Sequence, residues 1–213
     1  QSFKPELIKQ ELTSIFDLET RLFPCLLDMT WQGVRVNLEK AEAIKKNLIK
    51  QEEKTLLQIK KDTGVDVEVW SAVSVAKAFD KFNIPYEKTE KNKQPKFDKN
   101  FLVTHKHPLA KMIVHARETN KARATFIDTI FRHAVNDRIH AHMHQMRSES
   151  GLAGTATGRF SYSNPNLQQV PARNKEIGPL IRSVFVPNEG CKWGSFDYSQ
   201  QEPRVLVHFA ALT

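Results

Sequence analysis

The chain has 213 residues, 40% of them hydrophobic and 26% charged, which is typical of a soluble globular protein and leaves the fold class open. Its net charge of +8 favours a polyanionic partner, because neutralised phosphates release counterions. No run approaches the ~18 apolar residues of a membrane span, and the N-terminus lacks a signal-peptide pattern. We therefore expect an intracellular, cytoplasmic protein with no membrane partner.

The two cysteines, Cys25 and Cys191, form no CxxC pair and are predicted to be isolated buried thiols.

Apolar residues spaced by three and four predict that the first part of the chain is helical, with one buried face. They are Leu7, Ile8, Leu12, Ile15, Phe16, Leu22, Phe23, Leu26 and Met29. Pro24 is expected to kink or split this helix, and Gly33 to end it. Asn37 can cap a second helix that stops at Gly64. The short link between the two helices predicts that they pack as an antiparallel pair.

Ser71 can cap a shorter helix, and Pro108 suits the first turn of a long one. Between these two helices lies a polar stretch, Tyr86 to Asn100, that contains five lysines: Lys88, Lys91, Lys93, Lys96 and Lys99. One face of the long helix is also polar and mostly basic, with Lys111, His115, Arg117, Lys121 and Arg123. Both surfaces could hold the phosphates of a duplex, and a solvated charged face is the alternative.

The character of the sequence changes near Arg138. Up to that residue the chain is helical in period and nearly free of glycine, whereas turn residues are frequent from Ile139 onward. We predict a helical domain at 1–138 and an α+β domain at 139–213, which makes the fold class α+β. Residues 139–144, 182–187 and 192–196 are strand candidates, and helical spacing returns from Gln200. The sequence stops within that last helix, which indicates a truncated domain.

Asp197 is the main candidate for chemistry, since it follows a predicted strand and precedes a predicted helix. A carboxylate held at a strand end can bind a hard cation such as Mg²⁺. Capping the following helix is the structural alternative. His140, His142 and His144 would share one strand face, but same-face neighbours lie ~6.6–7 Å apart. The outer two are then too distant to share one zinc ion, and we do not predict a zinc site.

Three sequence segments carry a resemblance to a known family. They are 157–161 with 164–174 (TGRFS and NPNLQQVPARN), 181–185 (IRSVF) and 197–204 (DYSQQEPR). In this order and spacing they resemble the template–primer segment and motif A of family A (polymerase I-like) DNA polymerases. The resemblance is strong from about His140 to Ala211 and fainter over the helical half. It implies that 1–138 is the thumb, with the end of a preceding linker helix, and that 139–213 is the N-terminal part of the palm.

The resemblance assigns roles to residues of motif A. Asp197 corresponds to the catalytic aspartate that binds two Mg²⁺ ions, and Tyr198 offers its backbone carbonyl to one of them. Glu202 corresponds to the residue that crowds the sugar 2′ position and excludes ribonucleotides. Gln200 is expected to be part of the same dNTP site, and Arg173 matches an arginine near the nucleotide phosphates.

Other residues are expected to contact primer–template DNA. Arg159 corresponds to an arginine that reaches the minor groove at the primer end, where every correct base pair offers acceptors. Asn166 and Gln168 match polar positions at the same duplex end, and Lys121 and Arg123 lie on the basic helix face. The implied reaction is addition of dNTPs to a primer 3′ end in a bacterial or phage-infected cell.

Some features depart from the family pattern. Gln201 and Pro203 replace apolar residues, which favours a bacteriophage-type member, and Tyr162 replaces a small residue near Arg159. The family's fingers and second metal-binding aspartate are missing, so we expect the two Mg²⁺ sites to be unoccupied and this chain alone to be inactive. The chain is then either a fragment or the natural half of a split polymerase whose other half is a separate polypeptide. A non-catalytic duplex-binding module and a metal-dependent hydrolase are the alternative functions.

Overall fold

The computed structural model describes residues 3–151, 153–172 and 174–211, and its fold is α+β as predicted. Helices dominate the first two thirds of the chain, and short strands and turns dominate the rest. The α-helices are α1 (Lys4–Lys9), α2 (Thr13–Gln32), α3 (Leu38–Thr63), α4 (Ala72–Lys81), α5 (Lys99–Thr104), α6 (Pro108–Lys121), α7 (Asp128–His133), α8 (Ile177–Arg182) and α9 (Gln201–Ala210). The strands are β1 (Val34–Arg35), β2 (Glu87–Lys88), β3 (Pro95–Lys96), β4 (Ala134–Val135), β5 (Arg138–Ile139), β6 (His142–His144) and β7 (Ser161–Ser163).

The predicted helix ends are confirmed at four positions. The Asn37 side chain accepts a hydrogen bond from the Lys40 N–H at 2.7 Å and caps α3. Ser71 caps α4 in the same way, and Gly33 and Gly64 end α2 and α3 with positive φ. Each of these ends depends only on nearby backbone, which is why the sequence predicts them well.

The long helix begins at Pro108, as predicted, and runs through α6, a π-helical turn at Ala122–Ile127, and α7. Helix α3 packs along it. Leu48 shares a buried cluster with Ala122, whereas Ile59, further along α3, shares another with Ile113. The two helices are therefore antiparallel.

The predicted packing of α2 is wrong in two respects. Of its apolar residues only Leu26 is buried, and Ile15, Phe16 and Phe23 are about half exposed. Helix α2 packs mainly on α1 and β6, and the main partner of α3 is the long helix. The link between α2 and α3 pairs as β1 into a sheet, and this directs α3 away from α2. Pro24 does not split α2, which is continuous across it.

The buried residues form two clusters at opposite ends of the α3–long helix pair. One cluster surrounds Phe79 and joins α4, α5 and α6. The other contains Ile44 and Ile130 from the helical part together with Ile139 and Ile181 from the second part. Residues on both sides of the predicted boundary at 138/139 therefore share a core, and the boundary itself stays a prediction.

The sheets are small and antiparallel. Strand β5 lies between β1 and β4, while β2 pairs with β3 and β6 with β7. The strand predicted at 139–144 is present as two pieces, β5 and β6. In the segment predicted at 182–187, Arg182 belongs to α8, and Phe185 forms an isolated bridge with Val36. The Val184 carbonyl and the Val186 N–H on either side hydrogen-bond to the same segment.

The strand predicted at 192–196 is absent from the described chain. Its residues are exposed, and no described strand pairs with them, although a strand needs a partner for its backbone groups. The helix predicted from Gln200 is confirmed as α9, none of whose residues is buried. Cys25 and Cys191 are exposed free thiols, so their predicted burial is wrong. Within the described residues, no helix has the length and apolar character needed to cross a membrane.

Candidate functional site

Asp197 lies on an exposed segment without regular secondary structure that leads into α9. Its side chain makes no hydrogen bond or ion pair with any other described residue. The N-cap position of α9 is Gln200, which has a left-handed backbone (φ +53°) and makes no capping side-chain bond. Asp197 therefore does not cap α9, and its carboxylate is open to solvent and to a cation.

Two residues that the sequence assigns to different ligands contact each other. The Arg159 guanidinium forms an ion pair with the Glu202 carboxylate in the first turn of α9. Both side chains are largely exposed, at 73% and 77%. The structure therefore brings together the predicted primer-end residue and the predicted sugar-contacting residue. Gln200 and Tyr198 lie on the same exposed segment as Glu202.

The loop that carries Arg159 is held by hydrogen bonds that sequence reasoning missed. The Thr155 hydroxyl donates to the Arg159 carbonyl at 2.7 Å, and Ser161 Oγ accepts from the Gly154 N–H at 3.0 Å. A Cβ at Gly154, which has φ +77°, would lie 2.0 Å from the Met146 carbonyl oxygen, so glycine is required there. The glycine and hydroxyl residues of 154–161 were the only sequence signal for this loop.

The predicted DNA-binding amides are engaged within the protein. Asn166 Oδ1 accepts from the Gln168 N–H and caps a 3₁₀ turn at Leu167–Gln169. Gln168 Nε2 donates to the Phe160 carbonyl at 3.1 Å. Thr155 and Gln168 thus fix two consecutive carbonyls, those of Arg159 and Phe160. The direct DNA contacts predicted for Asn166 and Gln168 stay predictions.

Arg173 lies outside the described residues. Its neighbour Asn174 accepts backbone N–H bonds from Glu176 and Ile177, which orders the turn before α8. Asn174 Nδ2 also lies 3.5 Å from a Glu118 oxygen on α6. This segment therefore lies beside the long helix.

Lys121 and Arg123 have different environments. Lys121 is exposed and has no ion pair among the described residues. Arg123 is only 25% exposed and lies between Glu52 on α3, at 3.6 Å, and Asp128 on α7, at 3.3 Å. Lys45 is 2.8 Å from the other Asp128 oxygen. Arg123 therefore joins α3 to the π-helical turn, and the structure leaves Lys121 as the accessible cation.

The lysine-rich stretch forms the β2–β3 hairpin. Lys96 pairs with Glu87 at 3.4 Å and Asp98 at 3.2 Å, and hydrogen bonding to Asp98 raises the pKa of Lys96. Lys99 lies 3.7 Å from Glu118. The other lysines of the hairpin are exposed and have no ion pair within the described part of the chain; they are Lys88, Lys91 and Lys93. The hairpin tip is therefore a cationic surface.

Arg117, which the sequence places on the basic face of the long helix, is turned towards the protein. Its guanidinium donates to the carbonyls of Val69, at 2.6 Å, and Phe97, at 2.7 Å, and contacts the Trp70 ring. Partial burial lowers the pKa of Arg117. It serves as a link between α6 and two loops.

The described residues contain no group of three His, Cys, Asp or Glu side chains able to hold a metal ion. His140 instead contacts the Thr30 carbonyl at 3.0 Å, and His144 contacts Ser163 Oγ at 2.7 Å. That the three histidines do not form a zinc site stays a prediction.

Comparisons with known proteins identify the family. The sequence profile of DNA polymerase family A matches residues 38–212. A DNA-directed DNA polymerase of Pseudomonas phage M6 is 37% identical over 97% of this chain and 32% of its own length. The thermostable DNA polymerase I of Thermus filiformis is 31% identical over 99% of this chain and 25% of its own length.

A solved structure agrees with these relatives. The POL domain of Pol1 from M. smegmatis, in complex with DNA primer-template and dNTP, superposes with a TM-score of 0.72 and 25% identity over 87% of this chain. The chain covers 32% of that structure and about a third or less of these relatives' length. Because the family profile spans most of the sequence, the chain belongs to DNA polymerase family A.

Proposed function

We propose that the chain is the thumb (1–138) and the first part of the palm (139–213) of a DNA-directed DNA polymerase. In the complete enzyme, dNTPs are added to a primer 3′ end by phosphoryl transfer. The observation that carries this proposal is Asp197, an exposed carboxylate with no hydrogen bond or ion pair among the described residues, on a segment that the family profile covers. Its neighbours support it, since Glu202 is close to Arg159.

The metal site fits this chain in part. The Asp197 carboxylate and the Tyr198 carbonyl are suitable oxygen ligands for Mg²⁺. When bound, the two metal ions lower the pKa of the primer hydroxyl and neutralise charge on the triphosphate. The chain spans about a third of the length of the relative from Pseudomonas phage M6 and of the solved POL domain, so we propose that the 213-residue chain does not polymerise alone. Further metal ligands would come from the parts of the relatives' sequences that this chain does not cover, or from a separate polypeptide.

Two basic surfaces are proposed to bind the duplex. Lys121 on the long helix and the tip of the β2–β3 hairpin, with Lys91 and Lys93, present exposed ammonium groups that have no ion pair in the described part of the chain and can contact phosphates. Arg159 is proposed to reach the minor groove at the primer end, and Gln168 to hold its loop. Arg173 and Gln200 are proposed to lie at the dNTP, with Glu202 at its sugar.

A second candidate function is a non-catalytic module that binds duplex DNA. It is favoured by the exposed lysines that have no ion pair among the described residues. The two functions differ at Asp197, because a metal ligand is needed for synthesis and a duplex-binding module has no use for it.

The test uses Asp197→Ala in this chain and in a polymerase reconstituted with a polypeptide that carries the remaining motifs. We expect loss of primer extension in the reconstituted enzyme and unchanged primer–template affinity in the chain, measured by fluorescence anisotropy. Primer extension that survives the substitution would show that Asp197 is not catalytic. Primer extension by the unmodified chain alone would refute its proposed inactivity.

A further inference from the structure

The ion pair between Arg159 and Glu202 joins two segments that are otherwise far apart in sequence. Arg159 lies on the loop before β7, and Glu202 lies in the first turn of α9. Among the described residues, it is the only ion pair that joins α9 to the preceding chain. The position of α9 and the state of the Arg159 guanidinium are therefore linked by this contact.

The backbone of the Arg159 loop is fixed, whereas its side chain is not. Thr155 and Gln168 hold the carbonyls of Arg159 and Phe160. The guanidinium is 73% exposed, and Glu202 is its only ionic partner in the described chain. Because the ion pair is exposed to solvent, a ligand that offers hydrogen-bond acceptors can compete with Glu202 for the guanidinium without any change in the loop.

We propose that Glu202 and the primer-terminal base pair compete for the Arg159 guanidinium. This inference rests on the proposed function, which places Arg159 at the minor groove of the primer end. That groove offers purine N3 and pyrimidine O2 acceptors at a correct base pair. When the duplex end engages Arg159, the ion pair opens and the Glu202 carboxylate is released on the side of the dNTP. Glu202 is thus a positioning residue for DNA binding as well as a proposed sugar contact.

The exposure of the Arg159 and Glu202 side chains sets the expected size of the effect on DNA affinity. An ion pair between two largely exposed side chains is weak, so competition by Glu202 reduces DNA affinity by about two- to five-fold. Duplex binding therefore readily opens the ion pair between Arg159 and Glu202. DNA binding at Arg159 is thereby coupled to the state of Glu202 at the proposed dNTP site, and neither DNA nor dNTP is blocked.

The test is a double-mutant cycle in the 213-residue chain, with primer–template affinity measured by fluorescence anisotropy. Glu202→Gln is expected to tighten binding by about two- to five-fold, because Arg159 is freed. The matched control is Glu189→Gln, which removes an exposed glutamate that has no ion pair within the described residues. In an Arg159→Ala background, Glu202→Gln is expected to have no effect beyond that of the control. Thermal unfolding of each variant verifies that it is folded.

Three results would overturn the inference, and they bear differently on the proposed function. If Glu202→Gln behaves like Glu189→Gln while Arg159→Ala weakens binding, competition is excluded and the DNA-binding role of Arg159 stands. If Glu202→Gln weakens DNA binding, Glu202 has a supporting role and not a competing one. If the chain shows no affinity for primer–template DNA at low salt, both the inference and the proposed duplex binding fail.

Discussion

Lys121 and Arg123 are two residues apart on the long helix, yet we expect different effects of replacing them with alanine. Arg123→Ala should lower stability, whereas Lys121→Ala should weaken DNA binding. Arg123→Ala removes the cation between Glu52 and Asp128, which are 15% and 25% exposed in this contact. Asp128 then keeps Lys45 as its cation, whereas Glu52 has no other cation within ion-pair distance among the described residues. Breaking a fully buried ion pair costs about 3–5 kcal/mol, and solvent screening here reduces that to about 2 kcal/mol.

For a protein of this size, about 2 kcal/mol lowers the unfolding temperature by roughly 4–8 °C. Lys121→Ala is expected to leave the unfolding temperature unchanged, because its ammonium has no ion pair among the described residues. It should instead weaken duplex binding and lower the slope of log affinity against log salt by about 1. Calorimetry and anisotropy titrations at several salt concentrations measure both quantities. Equal loss of DNA affinity in the two variants, with no loss of stability in Arg123→Ala, would show that Arg123 contacts phosphates and that its ion pairs are unimportant.

Three further changes test the local structure. Asn37→Ala removes the cap of α3 and should cost about 1 kcal/mol in denaturant unfolding, whereas Asn37→Asp should retain the cap. Gly154→Ala places a Cβ against the Met146 carbonyl and should destabilise the chain more than Gly190→Ala, which has a similar φ but no atom within 4 Å of its Cβ. The Phe101 N–H and Lys96 lower the pKa of Asp98, so the stability that this carboxylate contributes is present above about pH 4 and is lost as pH falls through its lowered pKa. Asp98→Asn should therefore reduce the acid sensitivity of unfolding, and unchanged acid sensitivity would contradict that assignment.

The sequence predicts features that depend on neighbouring residues. Asn37, Ser71 and Gly64 are helix ends set by local backbone and side-chain geometry, and all are confirmed. Periodicity also identifies α2 as amphipathic, but it carries no information on which element covers the apolar face. The expected burial of that face is therefore wrong, and so is the strand at 192–196, whose pairing is non-local.

The candidate site shows the same division. The order of motifs in the sequence leads to Asp197, and its exposure is consistent with the prediction. The contacts of Gln168 and Thr155 with backbone carbonyls depend on how a loop folds, so the sequence does not identify these carbonyls as their partners. The different position of Arg123 is visible in the sequence, because it lies two residues from Lys121 and residues at i and i+2 on a helix do not share a face. This spacing places Lys121 and Arg123 on different sides of the helix, and the DNA contacts predicted for both residues stay predictions.

The buried residues that stabilise the fold are separate from the residues that are proposed to take part in the reaction. The two buried clusters are held by α3, the long helix and the elements packed on them, whereas Asp197, Glu202 and the rest of α9 are exposed. Surface substitutions of this kind usually change stability by less than about 0.5 kcal/mol. A loss of synthesis after a substitution at Asp197 can thus be ascribed to the reaction and not to unfolding. The same reasoning does not extend to Gln168 or Thr155, where a substitution changes the Arg159 loop and its interpretation requires a direct measure of that loop's structure.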